Sequence, residues 1–137
     1  MILSAICATY KKEVLGGEHK VTDEYKIALY DSTAELNATT ASYTAVGEIV
    51  GVGYVAGGQA LTNVTVSLSD ITAIFDADNP TWANATITAR GAMIYNATNN
   101  GKAVAVLDFG AEYSATNGSF VIVLPSPTAT EGLIRLA

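Results

Sequence analysis

Apolar residues recur along this chain with two different periods. Leu3, Ile6, Cys7, Tyr10 and Val14 fall at i, i+3, i+4, i+7 and i+11, the spacing of one helical face, and Gly16-Gly17 ends the run. This predicts a helical N-terminal segment over residues 1–17, with Cys7 a buried structural thiol on its apolar stripe. From Tyr25 onward the period becomes two, and short runs rich in Val, Ile, Thr and Tyr are separated by Gly, Asn, Asp, Ser and Pro. Strands are predicted at Tyr25–Tyr30, Glu48–Val55 (broken by glycine), Leu61–Leu68, Ile71–Phe75, Ala85–Asn96, Ala103–Phe109, Ser119–Leu124 and Leu133–Leu136. The small, polar stretch from Asp31 to Gly47 reads as a surface loop.

About eight strands with turn signals between nearly all of them define a mainly β fold. The expected architecture is a β-sandwich or barrel with a short N-terminal helix, in a single domain over 1–137. No internal repeat breaks the chain into further units.

The hairpin between Ala85–Asn96 and Ala103–Phe109 admits two registers, because its turn Ala97-Thr98-Asn99-Asn100-Gly101 contains Asn-Gly. A two-residue Asn100-Gly101 turn sets Met93 against Asp108 and Ile94 against Leu107. A five-residue loop closed by Asn96 and Lys102 sets Arg90 against Asp108 and Ile94 against Val104. The second joins opposite charges and apolar groups, so Arg90 and Asp108 are the candidate structural ion pair.

Composition sharpens this picture more by exclusion than by assignment. The 137 residues are 50% hydrophobic and only 15% charged, which suits packed strands. A net charge of −6 with no basic run speaks against nucleic acid as a partner. No stretch of about 18 apolar residues is present, so no membrane-spanning helix is expected. Met1-Ile2-Leu3-Ser4-Ala5-Ile6-Cys7 lacks a basic n-region and is short for a signal peptide, and therefore reads as mature sequence. One cysteine allows no intrachain disulfide.

Candidate chemistry fails at each place it suggests itself. His19 is the single histidine, follows Gly16-Gly17 and is expected as a solvated turn residue; no Gly-x-Ser-x-Gly elbow accompanies it. Gly51-Val52-Gly53-Tyr54-Val55-Ala56 matches a dinucleotide fingerprint in form, but Gly57-Gly58 follows where a helix should begin. Asp76-Ala77-Asp78-Asn79 opens like a calcium loop, yet Pro80 stands at a ligand position and the later glycine and glutamate are missing. Asn-x-Ser/Thr triplets begin at Asn37, Asn63, Asn84, Asn96 and Asn117, as expected by chance in an Asn- and Thr-rich chain. The expectation is a non-enzymatic protein with no cofactor and no metal.

Three blocks carry a resemblance: Tyr25–Tyr30, Glu48–Gly58 and Thr81–Ala92, continued by Ile94-Tyr95-Asn96 and Ala103–Gly110. In this order they resemble a family of small virion structural proteins of tailed bacteriophages, over a span from about Lys11 to Ala137. The resemblance implies a phage virion protein made in the bacterial host cytoplasm, with no catalytic residues to carry over. A compact acidic β domain without heptads or fibre repeats suits a head decoration, or cement, protein on the outer surface of the head. Its partners would then be the major capsid protein and its own copies, expected as a homotrimer at threefold positions. The alternative is a carbohydrate- or receptor-binding module of a head or tail fibre, for which Trp82 with Asn79 and Asn84 would form the platform. Candidate interface anchors are Tyr25, Tyr43, Tyr54, Trp82, Tyr95 and Tyr113, since Tyr and Trp dominate binding hot spots.

Overall fold

The structure, a computed structural model, describes all of residues 1–137. Eight strands and one helix follow in the order β1 (Ala5–Ile6), α1 (Ala8–Leu15), β2 (Tyr25–Tyr30), β3 (Gln59–Ala60), β4 (Thr65–Ser69), β5 (Thr72–Asp76), β6 (Thr81–Asn96), β7 (Lys102–Val121) and β8 (Ile134–Leu136). They form two antiparallel sheets, ordered β1-β7-β6-β2-β3 and β4-β5-β8, and neither closes into a barrel. The fold is mainly β and sandwich-like.

The long β6–β7 hairpin organises the molecule, and its inner half forms the core. Gly91–Asn96 of β6 are buried without interruption, so both faces of the sheet are covered there. Ile27, Leu29, Met93, Ile94, Val104 and Val106 are essentially inaccessible. Each such side chain contributes about 1.5–3 kcal/mol by leaving water. Tyr25 of β2 meets Phe75 of β5 edge-on at 5.1 Å between ring centroids, which joins the two sheets.

Asn96 and Lys102 close the hairpin, but the expected pairing of Ile94 with Val104 does not occur. A bulge lies between Ile94 and Tyr95: Tyr95 pairs with Ala103 and Ile94 with Ala105, leaving Val104 as the extra residue. Cys7 N–H donates to the Val104 carbonyl at 3.0 Å, continuing the β1–β7 register by one residue and docking the N-terminal segment on the other side of β7.

Four further expectations are corrected. The helix begins at Ala8, because residues 1–6 run extended. Ile2 bridges Leu36, and Ala5 and Ile6 pair with Val106 and Ala105, so Ile2 is buried and Leu3 exposed. A helical spacing of apolar residues was coincident with an extended segment in which Ile2 is buried and Ala5 and Ile6 are half-buried. Second, the stretch 31–47 is not a surface loop throughout, since Ala34 and Leu36 are fully buried beneath that segment. Third, Glu48–Val55 forms no strand. It is a strap along β2 and β6, touching them by single bridges at Tyr30–Glu48 and Val52–Thr86. Fourth, Ala103–Phe109 and Ser119–Val121 belong to one strand, β7, which continues through bulges where Gly110 and Asn117 adopt positive φ.

The strap's glycines answer to close approach. A Cβ on Gly51 would lie 2.7 Å from the Thr86 carbonyl oxygen, and one on Gly58 would fall 1.8 Å from that of Ile27. Backbone contact, not phosphate binding, accounts for glycine here.

Candidate functional site

The six aromatic candidates divide by burial. Tyr25, Trp82 and Tyr95 are core residues, a correction to their expected role as surface anchors. Tyr25 packs between His19 and Phe75 and donates its hydroxyl to the Lys20 carbonyl at 2.9 Å. Trp82 is enclosed by Tyr54 and Phe120. Tyr95 donates to the Gly57 carbonyl at 2.5 Å and stacks on Tyr43. Large aromatics in a small domain are needed to fill its core, and three of the six are used that way.

Tyr43 and Tyr54 are half-buried and converge on one carboxylate. Glu48 Oε1 accepts from Tyr43 Oη at 2.5 Å, while Oε2 accepts from Tyr54 Oη at 2.6 Å and Gly57 N–H at 2.7 Å. Tyr54 Oη in turn accepts from Leu29 N–H at 2.9 Å. The carboxylate thereby ties the start of the strap to its end and the strap to β2. Burial raises both phenols well above the ordinary tyrosine value, and the bond to Glu48 raises them further. Both hydroxyls are spent on Glu48, so the carboxylate works as a clamp on the strap.

A second polar cluster surrounds His19, whose side chain is only 1% exposed. The expectation of a solvated turn histidine is thus corrected: Tyr10 and Tyr25 flank the ring. Asn96 Oδ1 accepts from Asn99 N–H, so its amide NH₂ faces both Asp23 Oδ2 at 2.9 Å and His19 Nδ1 at 3.1 Å. Nδ1 must therefore accept, and Nε2–H donates to Glu13 Oε1 at 3.0 Å. Lys102 caps the cluster on Glu13 and Glu18. His19 pins α1 and the following turn to the hairpin loop, with both ring nitrogens occupied.

Cys7 is fully buried, and its thiol is pushed up to about 11 by burial first and by Glu13 second, which suppresses the nucleophilic thiolate. No group of three or more His, Cys, Asp or Glu side chains converges to hold a metal ion, and no helix is long and apolar enough to cross a membrane.

Tyr113 alone of the aromatic candidates is truly exposed, at 56%. It lies edge-on to Phe109 in a shallow groove of about 600 Å³ that Ser114, Ser119, Val121 and Val123 also line. The Trp82, Asn79 and Asn84 platform is not assembled: Trp82 is buried, and Asn79 Oδ1 is taken by Leu124 N–H at 2.7 Å.

Sequence reasoning missed the aliphatic surface. Val50, Val52 and Val55 project from the strap and Val46 from the turn before it, Val50 at 97% exposure, and Val66, Leu68 and Ile71 project from the β4–β5 hairpin. The signal was present in the glycines between these valines, which break the sheet ladder and leave Val50, Val52 and Val55 in solvent.

No protein-family model matches this chain, and neither the curated proteins nor the solved structures include one significantly similar to it.

Proposed function

We propose that this protein is a non-enzymatic structural subunit of a tailed-phage virion, seated on the outer surface of the head as a decoration protein. The observation that carries the reading is two groups of exposed aliphatic side chains, one at the strap and one on the β4–β5 hairpin. Large apolar side chains grouped in water within one short segment, as in Val50, Val52 and Val55 or Val66, Leu68 and Ile71, are of the kind that assembly buries. Support also comes from the two polar clusters, which are satisfied by internal hydrogen bonds and serve to fix the strap and the N-terminal segment. The series of sequence blocks described above points to the virion. The partners the reading requires are the major capsid protein and other copies of the same chain. Each contact is modest, and the lattice makes binding strong by presenting many together.

The experiment is to mix purified protein with mature heads that lack it and to locate it by cryo-imaging. Density repeating with the capsomers supports the reading, and density confined to the tail rejects it. The alternative, a carbohydrate- or receptor-binding module, is favoured by one feature: exposed Tyr113 with Phe109 beside the Ser114 and Ser119 hydroxyls. Specific signal on a glycan array that Tyr113→Ala abolishes would promote it.

A further inference from the structure

We infer that β4 is a self-association edge, on which two copies of this chain pair antiparallel about a twofold axis at Ser67. The inference does not depend on the virion reading.

The free edges of the two sheets are not alike. Those at β1 and β3 are two residues long, and β8 is three residues with Arg135 at its centre. The outer half of β7 is interrupted by register shifts opposite Arg90 and Thr86. Short length, charge and bulges are the devices that keep an edge from pairing. β4 has none of them. Thr65-Val66-Ser67-Leu68-Ser69 contains no charge, proline or glycine, and pairs with Thr72–Asp76 of β5 without a bulge. Nothing pairs with its other side.

Three features select a second copy as the occupant. The first is the residue pattern: centring an antiparallel pair on Ser67 sets Val66 against the partner's Leu68, Thr65 against the partner's Ser69, and Ser67 against itself. Apolar meets apolar, polar meets polar, and no charged residue lies within the paired segment.

The second is hydrogen-bond phase. Ser69 and Thr72 close a two-residue hairpin loop, and such a closing pair exchanges its backbone bonds. Ser67 and Thr65 therefore also turn their backbone groups toward β5, while Val66 and Leu68 aim theirs at the open side. Pairing about Ser67 makes Val66 and the partner's Leu68 a hydrogen-bonded pair, and the symmetric pair likewise.

The third is continuity of the apolar face. Leu68, Ala73 and Leu136 form one row across the small sheet, and Val66, Phe75 and Ile134 form the next. Phe75 and Ile134 are buried, whereas Val66 and Leu68 are 58% and 75% exposed. The twofold joins the first row of one copy to the second row of the other, extending a face that already starts in the core.

The full chain should be measured by light scattering over a range of concentrations, with Leu68→Lys and Ser67→Cys compared. Wild type is expected to show a concentration-dependent dimer, in place of the homotrimer that a threefold seat implies. Leu68→Lys is expected to be monomeric with an unchanged circular dichroism spectrum, since residue 68 is already in solvent. Under mild oxidation the Ser67→Cys thiols should form a disulfide-linked dimer, because a non-hydrogen-bonded antiparallel pair brings the two Cβ atoms within reach. Thr65→Cys, displaced from the axis, should not. A wild-type monomer at every concentration, a trimer, or a dimer indifferent to Leu68→Lys overturns the inference. If Leu68→Lys does not fold, the cross-linking contrast decides: linkage at 67 and not at 65 supports the pairing, and equal or absent linkage rejects it.

Discussion

Arg90 Nε donates to Asp108 Oδ1 at 3.0 Å, although the residue directly opposite Asp108 in the ladder is Gly91. The contact is diagonal because β7 bulges between Asp108 and Tyr113, where Gly110 takes a φ of 81°. Gly110 N–H also donates to Asp108 Oδ1, so this carboxylate fastens the bulge as well as the arginine. Both contacts hold Asp108 below the ordinary aspartate value, the Gly110 bond more strongly than Arg90.

A carboxyl group whose pKa is depressed by folding stabilises the fold above its unfolded pKa and ceases to do so as pH falls through the lowered value. The Tm difference between wild type and Asp108→Asn should therefore be constant from neutral pH down to about pH 4, near the ordinary aspartate value. Below that it should shrink. A difference that does not change with pH would show that Asp108 acts through packing alone.

Gly58→Ala and Gly17→Ala separate steric contact from backbone strain. Both glycines have positive φ, but a Cβ at 58 meets the Ile27 backbone, whereas one at 17 meets nothing within 4 Å. Gly17→Ala should cost about 1 kcal/mol, the left-handed penalty alone. Gly58→Ala should cost about 3 kcal/mol or more, because the strap must lift from β2. Urea unfolding of the two variants gives the comparison, and equal losses would contradict the close approach.

Six tyrosines, Tyr10, Tyr25, Tyr30, Tyr43, Tyr54 and Tyr95, are raised above their ordinary value, with burial the largest cause in each. The folded state holds these protons more tightly than the unfolded chain. The stability they contribute is complete below about pH 10, the unfolded tyrosine value, and is lost as pH rises beyond it. Tyrosinate absorbance for these six residues should therefore appear together with alkaline unfolding. A gradual titration near pH 10 with circular dichroism unchanged would count against their burial.

Cys7 should not react with a thiol reagent in the native protein and should react on denaturation. Cys7→Ser places a hydroxyl in the same apolar site and should cost about 1–3 kcal/mol without altering assembly. Rapid native labelling would contradict a fully buried thiol.

How legible these features were depended on what kept each one in place. Tyr25–Tyr30 was readable to the residue because both its faces are buried and its apolar run is bounded by polar turns. The Asn96–Lys102 closure was readable from charge and apolar pairing across the hairpin, which outweighed the two-residue Asn100-Gly101 turn. The bulge at Val104 was not, because Ala103-Val104-Ala105-Val106 reads as a regular strand with no glycine or polar residue to mark it. Gly110 and Asn117 read as turns but are bulges within β7, since single positive-φ residues suit either. His19 looked solvated beside two glycines, yet Tyr10, Tyr25 and Asn96 reach it from three other segments. Among the interface candidates, residue type could not distinguish Tyr113 from Tyr25, because both lie in strands and only the sheet's position decides which side faces water.

The central claim, a protein that stabilises an assembled shell, is tested most directly by heating phage heads with and without it and following DNA release. A ligand that binds only the assembled lattice stabilises it by mass action, so release should shift to higher temperature as protein is added and level off at saturation. Equal release temperatures at saturating protein would contradict the account.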